Sequence, residues 1–369
     1  MINISFLSGT RADYGKIKPY IEYLLQKNNI QIHLFLTGMH TQNKYGKTYT
    51  EIEQDLGSVC HIINDIDICE IDTSTETAHI IKSYSDHLKT DKIDFVFIHG
   101  DRSEAMAGAL AAVFNNIPIC HIEAGDLSGS IDDSLRHAIS KLSHRFFVAD
   151  KQAKSLLIQM GESENSIHIV GNSSLANIPI QKIQNHTFPS QNYGILIYHP
   201  TTTISADIIQ SEISQIMKAL VNDQRSYVII MPNNDLNHQI ILDVYKQYQT
   251  NPKFAFFKSL PFGTFQYLLK NADVLIGNSS CGVKEAPYLG THVIDIGIRQ
   301  QNRYTHLDLP TFKHLNNIGK LPQILSKLPS PSKSISHEHY RKQFFKTLDA
   351  IITDNFWQPA LQKKFVIQR

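Results

Sequence analysis

Short apolar runs alternate along the chain with segments whose hydrophobic positions recur at helical spacing. That alternation predicts β-α units wound around a parallel sheet. In the first half, Ile2 to Leu7 reads as a strand, and Ile17, Ile21, Leu24 and Leu25 share one face of the helix after it. Ile32 to Leu36 predicts the next strand, and a polar, less regular stretch follows. Strands are then expected at Phe95 to Ile98, Ile117 to Ile122, Phe146 to Val148 and Ile167 to Val170. Between them lie helices over Ser103 to Phe114, about Asp133 to Leu142, and Lys151 to Met160.

Asn172 to Asn192 is polar, holds Pro179 and Pro189, and reads as a connection between two lobes. The second half repeats the pattern, with strands at Ile195 to Tyr198, Tyr227 to Ile230, Phe254 to Phe257, Val274 to Ile276 and Val293 to Ile296. Leu328 to Ser336 is rich in Pro and Ser and reads as surface, ahead of a closing helical region from about His337 to Asp354. A length of 369 residues also favours two domains over one. The expected fold class is α/β, with two Rossmann-like lobes of about 1–172 and 190–349. Ligands of such sheets gather beyond the carboxyl ends of the strands, and the polar motifs described below all fall there.

Bulk composition narrows the partners. With 35 basic and 34 acidic residues the formal charge is +1, which gives no reason to expect nucleic acid or an anionic membrane. No apolar stretch approaches the roughly 20 residues of a membrane span. The opening Met1 to Leu7 lacks a basic flank and reads as a strand, so a cytoplasmic location is expected. Cys60, Cys69, Cys120 and Cys281 show no paired or zinc-type spacing, and the 18 histidines include no H-E-x-x-H helix. No metal site and no cofactor are expected. The absence of G-x-G-x-x-G, G-x-x-x-x-G-K-[ST] and G-x-S-x-G disfavours a nicotinamide enzyme, a phosphate-loop ATPase and a serine hydrolase.

The stretch Gly277 to Pro287 follows the buried run Val274-Leu275-Ile276 and places small hydroxylic residues where a strand turns into a helix. Free backbone N–H groups and a helix dipole there would hold a diphosphate, with Glu285 one turn on to accept from a ribose diol. The plainer reading is a strand-to-helix turn with a capping Ser. In the first half, Asp101, Glu123 and Asp132 each follow a strand or open a helix, which outlines a proton-transfer site. Asp101 and Asp132 also suit helix caps. His40 and His199 lie just past strands, where a hydrogen-bonded scaffold role competes with chemistry. Arg11, Arg102, Arg299, Arg303 and Lys16 could neutralise a diphosphate or serve as surface ion pairs.

Eight motifs in one order give the chain a specific likeness. GTRADYGK (Gly9 to Lys16), TGMH (Thr37 to His40), HGDR (His99 to Arg102), HIEAG (His121 to Gly125), SGSIDDSLRHAISKLSH (Ser128 to His144), HPTTT from His199, GNSSCGVKEAP from Gly277 and IGIRQQNR (Ile296 to Arg303) resemble the UDP-N-acetylglucosamine 2-epimerase family. The first, fifth and seventh of these look like its hydrolysing branch, which serves sialic and nonulosonic acid synthesis. The resemblance implies the glycosyltransferase-B architecture, two lobes facing across a cleft, with the last helices, from about 350 to 369, crossing back to the first lobe. It also implies catalytic roles for Asp101, Glu123 and Asp132, with His40 and His199 lining the site. Nucleotide contacts are implied for Arg11, Arg102, Ser279, Ser280, Glu285 and Asn233. Thr203-Ile204 after HPTT and Ala124 in place of a second Gly depart from the branch and bear on the sugar substituents.

The implied reaction removes UDP across carbons 1 and 2 by anti elimination to a 2-acetamidoglycal, then hydrates it to a free N-acetylmannosamine-type sugar. The implied partners are a UDP-sugar substrate and further copies of the chain in a homodimer or larger homo-oligomer. A non-hydrolysing epimerase, a sugar transferase of the same two-lobed build and a non-catalytic nucleotide-sugar sensor are the competing readings. The three first-lobe carboxylates tell against the transferase and the sensor.

Overall fold

The computed structural model describes the chain except residues 43–47, 66–71, 129–130, 177–191, 234, 302–309, 330–336, 365 and 367–369, and the side chains of 131 and 337. Cys69, Arg303 and most of the expected connection between lobes lie outside the described residues. Two compact units are present. The first comprises Met1–Leu127, Ile131–Asn177 and His337–Arg369, and the second Ser128–Ser130 and Ile178–Ser336.

The first unit runs β1 (Ile2–Ser8), α1 (Arg11–Leu24), β2 (Ile30–Leu36), α2 (Tyr49–Leu56), β3 (His61–Asn64), α3 (Thr73–Thr90), β4 (Phe95–His99), α4 (Ser103–Phe114), β5 (Ile119–Ile122), α5 (Ile131–Leu142), β6 (Arg145–Val148), α6 (Lys151–Gln159) and β7 (Ile167–Ile169). Its seven strands are parallel in the order β3-β2-β1-β4-β5-β6-β7. Strands buried on both faces need continuous apolar runs, which Phe95 to Ile98 supplies with every side chain buried. Each fully buried Ile or Phe of this kind contributes roughly 1.5–3 kcal/mol.

The second unit runs β8 (Tyr193–Ile197), α7 (Ala206–Asn222), β9 (Ser226–Ile230), α8 (His238–Lys246), β10 (Phe254–Phe257), α9 (Phe262–Asn271), β11 (Val274–Gly277), α10 (Cys281–Lys284), β12 (His292–Ile296), β13 (Phe312–Leu315) and α11 (Leu321–Leu325). The strand order is β10-β9-β8-β11-β12-β13, again all parallel. In both sheets the order reverses beside the first strand, between β1 and β4 and between β8 and β11. These are the topological switch points where such sheets bind ligands.

The closing helix α12 (His337–Ile351) belongs to the first unit, so the expected second-lobe boundary at 349 lies too far along the chain. The physical reason is its buried face: Phe344 and Leu348 join the core formed by Tyr20, Phe95 and Phe147. Asp349 accepts a hydrogen bond from the Tyr23 hydroxyl at 2.8 Å, and Arg341 pairs with Glu22 at 2.7 Å.

Candidate active site

In the first unit the switch point brings four titratable groups into one chain of contacts. Glu123 lies just past β5 with φ +59, in the left-handed region that costs a non-glycine residue about 1–2 kcal/mol. Its Oε2 accepts from Lys16 Nζ at 3.1 Å and lies 3.5 Å from His99 Nε2. His99 closes β4, and its Nδ1 contacts Asp13 Oδ1 at 3.0 Å. Asp13 and Lys16 stand three residues apart on α1, so one helix face supplies both ends of the series Asp13, His99, Glu123, Lys16.

Burial opposes charge on Asp13 and His99, and pairing overcomes it. Burial would raise Asp13, but the hydrogen bond and charge of His99, helped by Arg102 and Thr10, bring its carboxyl down to about 2. Burial likewise opposes protonation of His99, yet Asp13 and Glu123 raise its pKa above the ordinary histidine value. His121, fully buried, contacts Ser140 Oγ and the Gly100 carbonyl at 2.9 and 2.8 Å. Burial depresses it to about 3, so it serves as a neutral strut beneath the β4 loop.

Asp101 forms an ion pair with Arg136, whose guanidinium also donates to the Asp126 carbonyl at 2.8 Å and meets Asp133 at 3.3 Å. Arg136 stands four residues, one helical turn, beyond Asp132 on α5, so this pairing draws the Asp132 face of α5 toward Asp101. Capping explains neither acid: Arg102, not Asp101, occupies the N-cap position of α4, and Asp132 is already inside α5. His40 is placed differently from the expectation of a site-lining group. It is fully buried, its two ring nitrogens meet Ser8 Oγ at 2.9 Å and Thr48 Oγ1 at 2.6 Å, and burial lowers it to about 4. It holds the loops from behind.

Four of the predicted anion-binding cations have carboxylate partners: Lys16 pairs with Glu123 as described, and Arg299 approaches Asp235 at 4.0 Å. Arg11 forms a two-pronged contact with Glu51 of α2, and Arg102 contacts buried Glu104 at 3.2 Å. In the second unit, Asn278 ties three strands together. It accepts from the His199 N–H and donates to the His199 carbonyl, both at 2.8 Å. Its own carbonyl accepts from Arg299 at 3.1 Å and Gln300 at 2.9 Å.

His199 Nδ1 accepts from the Asn233 N–H at 3.1 Å, which assigns the ring proton to Nε2. Burial, assisted by Arg299, lowers this histidine to about 3, so it can offer a neutral N–H and not a cation. Asn233 Nδ2 donates to Asp235 at 2.6 Å, and its buried Oδ1 has no hydrogen-bond partner among the described residues. Ser279 Oγ accepts from the Cys281 thiol at 3.2 Å; Ser280, at the N-cap position of α10, makes no side-chain capping bond. Both serines are partly exposed, and Glu285 at the helix end is buried. With only four residues in α10, any anion hold comes from local N–H and hydroxyl groups, since a full macrodipole needs a longer helix.

The switch points thus hold Glu123, Asp101 and Lys16 in one unit, and His199, Asn233, Ser279, Ser280 and Arg299 in the other. Asp13, His99, Arg136 and Asn278 complete these sites without a local signal in the sequence. All four lie inside motifs that carried the resemblance, but the partners that bring them to the site are 35 to 86 residues away: His99 for Asp13, Asp101 for Arg136 and His199 for Asn278.

A family model described as UDP-N-acetylglucosamine 2-epimerase matches residues 23–314. The chain is 39% identical over 380 residues to a UDP-N-acetylglucosamine 2-epimerase of Neisseria meningitidis serogroup B, covering 99% of both proteins. It is 35% identical over 311 residues to the UDP-N,N'-diacetylbacillosamine 2-epimerase (hydrolyzing) of Legionella pneumophila, covering 81% of the chain and 82% of that protein. The fold matches the crystal structure of UDP-GlcNAc 2-epimerase from Neisseria meningitidis bound to UDP-GlcNAc, with a TM-score of 0.76, 20% identity and coverage of 95% and 100%. Two parallel α/β units in one chain with this likeness are a glycosyltransferase-B type build, and the chain belongs to the UDP-N-acetylglucosamine 2-epimerase family.

Proposed function

We propose that the chain is a hydrolysing 2-epimerase acting on UDP-N-acetylglucosamine or a close UDP-2-acetamido sugar. Its products would be UDP and a free N-acetylmannosamine-type sugar. The observation that carries this reading is Glu123, held at φ +59 and bonded to Lys16, with His99 and Asp13 behind it. Backbone strain kept at one buried carboxylate fits a group aimed at a reacting atom.

Elimination takes the carbon-2 proton and breaks the bond from carbon 1 to the diphosphate oxygen, leaving a 2-acetamidoglycal. Water then adds its hydroxyl to carbon 1, and a proton returns to carbon 2 on the opposite face. A carboxylate of the Asp101, Glu123 and Asp132 set accepts the first proton, and a second member returns one. That proton is weakly acidic, so departure of UDP needs its charge met as it develops. Ser279, Ser280, the His199 Nε2–H and Arg299 are the donors proposed for the diphosphate, with Glu285 for the ribose and Asn233 for the base. The proposal requires both units to serve one substrate. The Legionella relative, whose name specifies hydrolysis, supports the choice of branch.

The test is incubation with UDP-N-acetylglucosamine, and in parallel with its 4-acetamido-4,6-dideoxy relative, in deuterated water without any acceptor. Free 2-epimerised sugar carrying deuterium at carbon 2, in step with UDP, is the expected result. Deuterated sugar still joined to UDP would make the chain a non-hydrolysing epimerase, and release only in the presence of an acceptor would make it a transferase. Glu123→Gln should lower turnover by about 10³-fold while changing UDP affinity less than about threefold. Normal sugar release by that variant removes Glu123 from the mechanism.

A further inference from the structure

The amino-terminal side of the first sheet carries a second cluster that the reaction does not use. His33 of β2 and His61 of β3 are register partners in adjacent parallel strands, so their side chains leave the same face. Their Nδ1 atoms are 3.2 Å apart. Asp91, the residue that caps the end of α3, places Oδ1 3.5 Å from His61 Nδ1 and 4.0 Å from His33 Nδ1. Among the described residues these three form the one group of histidine, cysteine or acidic side chains spaced for a metal ion.

We propose that His33, His61 and Asp91 form a binding site for a divalent first-row transition ion, with zinc as the reference case. Three atoms with these separations have a common centre about 2.1 Å from each, the length of zinc bonds to imidazole nitrogen and carboxylate oxygen. Small shifts of the half-exposed His61 ring would leave a fourth position for water. Both rings would bind through Nδ1 and carry their proton on Nε2, so binding needs no net proton release.

The carboxylate is oriented from behind. Asp91 Oδ2 meets His87 Nδ1 at 2.8 Å, His87 Nε2 meets Ser5 Oγ at 3.1 Å, and the Tyr84 hydroxyl donates to Ser5 Oγ at 2.9 Å. Ser5, Tyr84 and His87 are buried, so this outer layer is fixed before any ion arrives. His33 Nε2, by contrast, is buried without a hydrogen-bond partner among the described residues. One ligand therefore lacks the outer contact that strengthens imidazole binding, and affinity in the micromolar range is expected. No local spacing motif announces the site, because its ligands lie 28 and 30 residues apart on three elements. An ion there would tie β3, the four-residue edge strand, to β2 and to the end of α3.

The test uses the full chain without an affinity tag, stripped with a chelator and titrated with zinc by calorimetry and with cobalt by visible absorption. One equivalent should bind with tetrahedral cobalt bands, and zinc should raise Tm. His61→Ala, at a half-exposed position that leaves the core intact, and Asp91→Asn should each weaken binding at least about tenfold and abolish the Tm rise. Binding that survives unchanged in both variants assigns the ion to other histidines and overturns the proposal. A wild-type protein with no saturable binding below about 100 μM overturns it as well.

Discussion

Gly171-Asn172-Ser173-Ser174 and Gly277-Asn278-Ser279-Ser280 are the same four residues, each at the carboxyl end of a parallel strand and each opening on a glycine at positive φ. The first follows β7 at the edge of its sheet, and the second follows β11 at a switch point. Asn172 folds back on its own turn, its Oδ1 accepting from the Ser174 N–H at 3.0 Å and hydroxyl at 2.6 Å. Both serines there are buried, and the turn is anchored to α12 through Asn172 N–H donating to the Tyr340 hydroxyl at 2.9 Å. Asn278 reaches outward to His199 just past the neighbouring strand β8, and its two serines are partly exposed. Identical letters thus specify a turn, while strand position decides whether the turn is spent on packing or left open to a ligand.

Removing the two glycines gives the widest separation between the turns. A Cβ on Gly277 would lie 1.8 Å from the Ile197 carbonyl oxygen, a backbone atom of the central strand β8, at φ +133. Gly277→Ala should cost about 3 kcal/mol or more. A Cβ on Gly171 meets the Tyr340 hydroxyl at 2.6 Å, the end of a side chain that can swing aside. Gly171→Ala should cost about 1–2 kcal/mol, mostly for its φ of +83. Urea denaturation of both variants gives the comparison, and equal losses would show that strand position does not matter.

The serines test the functional half of the contrast. Ser279→Ala with Ser280→Ala should weaken UDP binding about tenfold, or about 1.4 kcal/mol, with the urea midpoint unchanged. Ser173→Ala with Ser174→Ala should do the reverse, lowering stability by about 1 kcal/mol through loss of the hydrogen bond that the Ser174 hydroxyl donates to Asn172 Oδ1, and leaving UDP affinity alone. Calorimetric titration of UDP separates the outcomes; parallel losses of affinity in both pairs would sink the assignment of Ser279 and Ser280 to the nucleotide.

The contrast also marks the limit of what the chain's letters disclose. Long apolar runs such as Phe95 to Ile98 and the Ala-rich helix α4 were legible because burial on both faces leaves no other composition. The edge strand β3 and the helix α3 were not: β3 has no fully buried residue, and α3 buries only Ile80, Tyr84, His87 and Leu88 among eighteen mostly polar positions. The acids Asp101, Glu123 and Asp132 could be picked out by their places after strands. His40 has the same kind of place after a strand, yet Ser8 and Thr48 occupy its two ring nitrogens. Nothing in the sequence ties Arg11 to Glu51, since that pairing spans 40 residues and depends on where α2 lies.

The two switch-point histidines extend the comparison to pH, with the smallest expected effect. His99 sits between carboxylates and is raised above 6.5, so its pairing contributes stability fully present below pH 6.5 and lost as pH climbs through the raised value. His199 is lowered to about 3 by burial and Arg299, so its neutral packing is intact above pH 6.5 and is lost as pH falls toward 3. His99→Gln should therefore cost more stability at pH 6 than at pH 8, and His199→Gln more at pH 8 than at pH 6. Each difference should be about 1 kcal/mol at most over that interval. Urea midpoints of both variants and the parent at the two pH values decide it. Shifts of the same sign for both histidines would mean that the carboxylates around His99 do not set its charge, and Lys16 and Glu123 would then need a different account of how they are held.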